Sequence, residues 1–478
     1  MQKTHALHSR YNPKAEAERY LDSIELKKDL KLMVLIEPGM GYITASLRKR
    51  NPNSKIIALH ARQQPESMPL ENIPDAYWSP EKGISLRHFL EQEIPDIEAS
   101  AIKIIEWRPG LSVYGEAYLS LLAGAVEIIK QADASARTQN MFGRKWFRNF
   151  FRNLNLVSYT INPVSFSFPV LITGSGPGLE DSLAEIKKAG NKTFLLAVSS
   201  SVTALGNKNL NPDLIITTDG GNWALLHLYE CVRNNASNIN LAINMCAAIP
   251  SQCKDASFLL ICDGSLWQSL VLRELKIPFI TLPQRGTVSA SALDLAFALT
   301  SDRVIFTGID LAHKDLLNHA RPYSFDRLWE EKANRLSPYY SQTHARSGLI
   351  KSGGSHDIYA SWFSHQLNNY PKRLFSLGSK SSQSNNKVFN SLESTSLEIN
   401  SNGNKPALEK NKVKFIKNPA MLAANFLISE INNSSAGKEL FEELSSLLYP
   451  DKTLSRKELS DAILNLTRSF WINNQDNK

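Results

Sequence analysis

The chain has 478 residues, enough for about three domains. Its hydrophobic content of 42% supports ordinary globular cores, and a net charge of +8 suits anionic ligands but is too weak to argue a nucleic-acid partner. No apolar run approaches the roughly 20 residues needed to span a bilayer, and the opening MQKTHALHSRYNPKAEAERY lacks the apolar stretch of a signal peptide, so a soluble, cytoplasmic protein is expected.

Residues 1 to about 30 read as helical surface. Lys31 to Ile36 is an apolar strand that ends in Glu37-Pro38-Gly39-Met40-Gly41-Tyr42. A helix (Ile43 to Lys49) and a second strand (Lys55 to Leu59) follow, and later segments to about Gln131 extend this small βαβ unit. The glycines after the first strand resemble the first motif of S-adenosylmethionine methyltransferases. In that family an acid usually closes the next strand. Here the strand closes Ala58-Leu59-His60-Ala61, with no acid, so a degenerate Rossmann-like domain is expected.

Met141 to Leu154 interleaves Arg144, Lys145, Arg148 and Arg152 with five aromatics. Apolar stripes at helical spacing are usually core, so an inter-domain helix with its aromatics turned inward is preferred to a membrane or nucleic-acid contact.

From Phe166 to about Phe375, strand and helix alternate. Strands are expected near Val170, Phe194–Val198, Leu214–Thr217, Leu241–Ile243, Phe258–Ile261, Phe279–Leu282 and Arg303–Thr307. This spacing argues a parallel α/β sheet. Gly174-Ser175-Gly176-Pro177-Gly178 separates the first of these strands from a helix over Leu179–Lys188. Backbone can approach a ligand closely there, and a helix N-terminus suits phosphate. No Lys-Ser/Thr follows, so this is not a Walker loop; a tight turn that only packs helix on strand is the plain alternative. Asp219-Gly220-Gly221 closes the strand at Leu214 and Gly308-Ile309-Asp310 closes the strand at Arg303. Both fall on the edge where doubly wound sheets bind ligands, although Asp219 could form only a turn and Asp310 could cap backbone N–H groups. Gln284 to Ala292 opens a helix rich in small residues, where Thr287 and Ser289 can present hydroxyls.

The spacings of Cys246, Cys253 and Cys262 fit no zinc site, and Cys231, Cys246 and Cys262 lie in or beside apolar runs and read as buried free thiols. In residues 376–405 Ser and Asn make up 15 of 30 residues, a composition that cannot bury enough apolar surface to order itself. The tail from about Lys414 is helical, with a capping box at Ser455-Arg456-Lys457-Glu458. The expected organisation is α/β: a small Rossmann-like N-terminal domain (1–135), a basic aromatic linker helix (136–165), a Rossmann-like parallel-sheet core (166–375), a flexible insert (376–412) and a helical C-terminal region (413–478).

GSGPGL, SSSV, NPDLIITTDGG, GTVSASALDLAFAL and VIFTGIDLAH occur in this order. The order resembles the motility accessory factor family of flagellin glycosyltransferases, and more remotely the CMP-using bacterial sialyltransferases, over roughly residues 166–330. The resemblance implies transfer of a nonulosonic, sialic-acid-like sugar from CMP to Ser or Thr of flagellin, with no cofactor and no metal. It places Gly174, Ser175, Gly176 and Pro177 at the nucleotide phosphate and ribose, and Ser199 or Ser200 beside the cytidine. It places Asp219 at nucleotide or sugar, Thr287 and Ser289 at the base or sugar carboxylate, and Asp310 at the strand end. Tyr323 matches a Tyr that stabilises the departing phosphate. His356 is the positional match to a general base, with His344 as a rival and His313 and His319 near the strand end. Ser175 and the Ser199–Ser200 pair stand where the sialyltransferases carry Asn. The same core is similar to the archaeal 6-hydroxymethyl-7,8-dihydropterin pyrophosphokinases, in which Asp219 and Asp310 would hold magnesium for ATP. A non-catalytic flagellar assembly factor is the third alternative.

Overall fold

The computed structural model describes residues 6–27, 30–63, 65, 68–94, 101–235, 239–310, 319–339, 341, 362–363, 372–377, 394–395, 404–413, 417–450 and 452–471. The chain divides into two compact units, residues 1–143 and 144–478.

The first unit is a parallel sheet with helices. Its strands are β1 (Leu32–Ile36), β2 (Lys55–Leu59), β3 (Ala76–Trp78) and β4 (Ile102–Glu106), in the order β3-β2-β1-β4. All three pairings are parallel. The helices are α1 (Pro13–Asp22), α2 (Tyr42–Arg50), α3 (Leu86–Glu93), α4 (Pro109–Tyr114) and the start of α5 (Glu116–Leu154). Every residue of β1 is buried. Leu32, Val34 and Ile36 pack in one apolar cluster, and Met33 and Leu35 in another with Ala17 and Leu21 of α1. That period of two, apolar on both faces, marks a strand covered by helices on either side.

The second unit has an eleven-stranded sheet among its described residues. Its strands are β5 (Tyr159–Ile161), β6 (Val170–Thr173), β7 (Phe194–Val198), β8 (Leu214–Thr217), β9 (Asn240–Asn244), β10 (Ser257–Cys262), β11 (Phe279–Thr281), β12 (Val304–Thr307), β13 (Leu374–Leu377), β14 (Ser394–Thr395) and β15 (Lys410–Lys412). The order is β14-β13-β12-β6-β7-β8-β9-β10-β5-β15, with β11 also against β10. Chain order runs outward from β6 to β10, and β12 returns to the other side of β6. The switch point that favours ligands therefore lies between the carboxyl ends of β6 and β12.

Its helices are α6 (Gly178–Ala189), α7 (Val202–Gly206), α8 (Leu225–Asn235), α9 (Leu266–Glu274), α10 (Val288–Leu299), α11 (Asp326–Lys332), α12 (Pro419–Asn433), α13 (Gly437–Leu448) and α14 (Arg456–Thr467). α6 to α9, the tail helices and the end of α5 form one core with Leu171, Leu195 and Ile215. α10 forms the other with Val170, Ile172 and Leu196. Ser455 and Glu458 form a capping box at α14.

Within the end of α5, Phe147, Phe150 and Phe151 are fully buried, each worth about 2–3 kcal/mol of apolar transfer. The interleaved cations meet partners in this same unit: Arg144 Nε donates to the Leu448 carbonyl and Arg152 to the Ile249 carbonyl. Lys410–Lys412 pair antiparallel with Tyr159–Ile161 as an edge strand; exposed lysines there discourage further strand addition. Cys246, Cys253 and Cys262 are buried and form no disulfide, and no group of three or more metal-binding side chains occurs among the described residues.

Candidate functional site

The site is built where β6 and β12 end. Gly174 N–H donates to the Thr307 carbonyl at 2.8 Å, and Gly176 N–H to the Gly308 carbonyl at 2.7 Å. The two post-strand loops thus run against each other, too closely for side chains. A Cβ at Gly174 would collide with the Gly308 carbonyl, and one at Gly176 or Gly178 with the Asp310 carboxylate. Gly308 itself has φ of +67°, the left-handed region that glycine tolerates. Asp310 Oδ2 accepts from Gly178 N–H at 2.9 Å. The positive end of α6 is therefore met by a carboxylate of the chain itself.

Hydroxyls line the next strand ends. Ser200 Oγ donates to Ser175 Oγ at 3.0 Å. Ser201, one residue on, is buried and bonds to Thr173 and to the Val198 carbonyl. Ser199 is buried and Ser200 half-buried. Asp219, after β8, is exposed; its Oδ1 accepts from Gly221 N–H at 2.6 Å in a short turn. Behind it, the Trp146 indole leaves no room for a Cβ at Gly220. Asn149 donates to the Gly220 and Cys246 carbonyls, fixing the loop from below. Thr287 is the N-cap of α10 and its side chain accepts from Ala290 N–H at 3.1 Å. Ser289 is half-buried in the first turn.

The segment after residue 318 joins this edge. The Ala320 N–H donates to the Ser175 carbonyl, and His319 Nδ1 lies 3.4 Å from Ser175 Oγ. His319 stacks on Tyr323, with centroids 4.0 Å apart and planes 13° apart. Tyr323 is buried and also packs against Phe325 and Trp329. His227, from α8, has Nδ1 at 2.6 Å from Ser324 Oγ. Burial pushes the His227 imidazole down to about 4, against an opposing pull from the Asp219 charge. His227 is thus neutral at pH 7. Trp223 is 61% exposed and faces Phe325 at 6.2 Å, so an aromatic surface flanks the strand ends.

The structure brings Gly174, Ser175, Gly176, Pro177, Ser200, Asp310 and Tyr323 into one connected network at the switch point. Asp219, Thr287 and Ser289 occupy other loops of the same sheet edge. His356, His344 and His313 lie outside the described residues. Sequence reasoning assigned no role to His227, Ser324, Phe325 or Trp329, although Ser324 and Phe325 lie in the PYSFD motif around Tyr323. The Phe325–Trp329 spacing of four was a readable signal; the His227–Ser324 contact, 97 residues apart, left none.

Residues 144–316 match the family model described as 6-hydroxymethylpterin diphosphokinase MptE-like. An uncharacterized protein of Treponema pallidum (strain Nichols) is 26% identical over 281 residues, covering 58% of this chain. The match spans 60% of that relative's length. Among solved structures, the MAf glycosyltransferase from Magnetospirillum magneticum AMB-1 aligns with a TM-score of 0.46 at 12% identity, covering 98% of this chain and 79% of that one. No described helix is long and apolar enough to cross a membrane. The matched residues 144–316 include the loops of the β6–β12 switch point, so this part of the core is similar to the MptE-like family.

Proposed function

We propose that the core is a glycosyltransferase that moves a nonulosonic sugar from a CMP donor to a Ser or Thr hydroxyl of flagellin. The observation that carries this reading is the Ser175–His319–Tyr323 chain at the switch point, where the glycine turn meets a stacked imidazole and phenol. The order of the motifs around it supports the same reading. In transfer, the bond between the anomeric carbon and the CMP phosphate breaks, and the phosphate leaves with the electron pair. The acceptor oxygen bonds to that carbon, and its proton passes to a base. The Tyr323 hydroxyl is suited to the departing phosphate. A histidine near its ordinary pKa is suited to the proton, and His356 is the candidate that motif order supplies. The donor is a substrate, and this route calls for no cofactor.

The family match favours one other reading, a diphosphokinase using ATP and magnesium, in which Asp219 would take the metal. Asp310 is less suited, because it is spent on Gly178. Calorimetric titration of CMP and ATP into the full chain, with and without magnesium, separates the two. CMP binding that needs no metal and weakens in Asp219→Ala supports transfer. Magnesium-dependent ATP binding supports the diphosphokinase. Silence with both leaves a non-catalytic assembly factor.

A further inference from the structure

The basic row in the last turns of α5 is the one sequence motif that the chemistry at the switch point leaves unused. Arg144, Arg148 and Arg152 stand at i, i+4 and i+8 and so share one face of the helix. Like charges at this spacing repel and weaken a helix. A carboxylate nearby would relieve them, yet no carboxylate among the described residues forms an ion pair with any of the three.

Each guanidinium meets a carbonyl or a ring instead. Arg144 Nε donates to the Leu448 carbonyl at 2.7 Å, and its guanidinium lies 4.1 Å from the centre of the Tyr449 ring. Lys452 is exposed and lies 6.0 Å from the same ring, which adds a fourth cation. Arg148 is exposed and lies 5.9 Å from the centre of the Phe470 ring. Arg152 gives one N–H to the Ile249 carbonyl at 3.1 Å, while its buried Nε has no hydrogen-bond partner. These contacts leave most of the guanidinium donors unused and neutralise no charge. Arg152 is the costly member. Burial pushes its pKa below the ordinary value, and the Arg148 charge one turn away pushes the same way. A cation withdrawn from water normally has a counter-charge, so this face is completed by an anion.

The spacing of the row sets the kind of anion. Successive arginines are about 6 Å apart along the helix axis and the row is about 12 Å long, beyond the reach of one phosphate or carboxylate. An extended polypeptide presents every second side chain on one face, about 6.7 Å apart. Acidic residues at alternate positions therefore meet the arginines nearly in register. A single nucleic-acid strand also carries a row of anions, but such sites stack bases on open aromatic faces. Here Tyr449 and Phe470 face cations, and Phe147, Phe150 and Phe151 are fully buried. A membrane surface needs an apolar face to insert, and the apolar residues of this segment are packed in the core.

We propose that the Arg144–Arg148–Arg152 face of α5 docks an extended acidic segment of a partner polypeptide, with carboxylates at alternate positions on the three guanidiniums. Arg offers a carboxylate two parallel N–H bonds, which the exposed Arg148 can supply in full. Asn149 and Asn153, from the same turns, bond to carbonyls of the loops after β8 and β9, so the docked segment would run beside those loops. The inference does not rest on which reaction the switch point carries.

The test is a fluorescence anisotropy titration of the full-length chain into a labelled synthetic peptide of about ten residues alternating Glu and Ser, long enough to span the row. A peptide alternating Gln and Ser is the control. The Glu peptide is expected to bind and the Gln peptide not to. Binding is expected to weaken between about 0.1 M and about 1 M salt, over which the screening length falls from about 10 Å to about 3 Å. Arg148→Gln, at an exposed position, is expected to weaken binding about tenfold, the loss of one charge-assisted contact. Arg148→Glu is expected to abolish binding yet melt no lower than the parent, because an acid between two arginines at four-residue spacing favours the helix. No binding of the Glu peptide, or equal binding by Arg148→Glu, overturns the proposal. Tighter binding of an oligothymidylate of similar length, or of phosphatidylserine vesicles, also overturns it and assigns the row to nucleic acid or lipid. A fall in melting temperature that parallels the loss of binding in both Arg148 variants reduces the row to scaffold.

Discussion

Asp310 and Gly178 are 132 residues apart, and the carboxylate of one accepts the first free N–H of the helix opened by the other at 2.9 Å. This contact explains the glycine-rich turn in packing terms. Gly176 and Gly178 are needed because the Asp310 carboxylate lies where their side chains would be. The positive helix end that could attract a phosphate is already answered by a fixed negative charge.

Gly176→Ala is therefore expected to destabilise the core by about 1–3 kcal/mol, the usual cost of forcing a methyl into packed structure. Asp310→Ala is expected to cost about 1 kcal/mol as a lost N-cap. The two are expected to be non-additive. With the carboxylate gone, the added methyl loses its nearest clash and keeps the one with the Gly308 carbonyl, so the double variant should be more stable than the sum by about 0.5 kcal/mol or more, an order-of-magnitude figure for contacting residues. Urea denaturation of the four proteins measures the coupling. Additive losses would show that the carboxylate does not set the glycine requirement.

His227 gives the core a defined acid sensitivity. Its folded-state pKa is about 4, against 6.5 for the ordinary imidazole. The folded state thus binds fewer protons than the unfolded chain between these values. Stability from this group is fully present above pH 6.5 and falls as pH drops toward 4, by about 3 kcal/mol in all. His227→Gln should flatten that segment of a stability-against-pH curve. An unchanged slope would assign the acid loss to other groups.

Tyr323 and His319 can be separated from the scaffold they stack in. Tyr323→Phe keeps the ring beside His319 and removes only the hydroxyl. If that hydroxyl steadies a departing phosphate, kcat should fall by about 10²–10³ with little change in KM or melting temperature. His319→Phe keeps the stack and removes Nδ1 from Ser175. Its expected effect is on donor affinity, read as KM. A fall in melting temperature matching the activity loss in both variants would reduce the pair to packing.

What was legible in the sequence follows from the reach of each interaction. β6, β7 and β8 are short apolar runs because both faces are covered, and a run such as Leu214–Thr217 announces this without its neighbours. The glycine turn and the Ser455 capping box are local in the same way. The long-range contacts are not: His227 to Ser324, Asp310 to Gly178 and, in the first unit, Glu37 to Ala61 join segments that no periodicity links. Glu37 is the sharpest case. It follows β1 yet its carboxylate meets Ala61 beyond β2, by a backbone conformation that the residue type does not advertise. Gly176 and Asp310 show the same limit, since a glycine needed for a distant carboxylate looks identical to one needed for a ligand.

Glu443 tests whether the helical tail is integral to the core. It projects from α13 and accepts from Leu266 N–H at 2.9 Å and Trp267 N–H at 3.0 Å, both at the start of α9. Burial raises its pKa above the usual carboxylate value, and the two N–H bonds oppose that rise. The raised pKa means that ionisation costs stability as pH climbs from 4.5 through the folded-state value. Two backbone donors converge on this carboxyl group. Glu443→Ala leaves both donors without a partner and is expected to cost about 1–3 kcal/mol. Glu443→Gln removes the charge, but its amide can accept from one donor while presenting N–H to the other, so an intermediate loss is expected. If the tail were merely appended, both variants would melt like the parent in the main transition, and limited proteolysis would release residues after Lys412 without loss of the core. The expected result is the opposite: the alanine variant lowers the core's own transition, because α12 and α13 share its hydrophobic cluster.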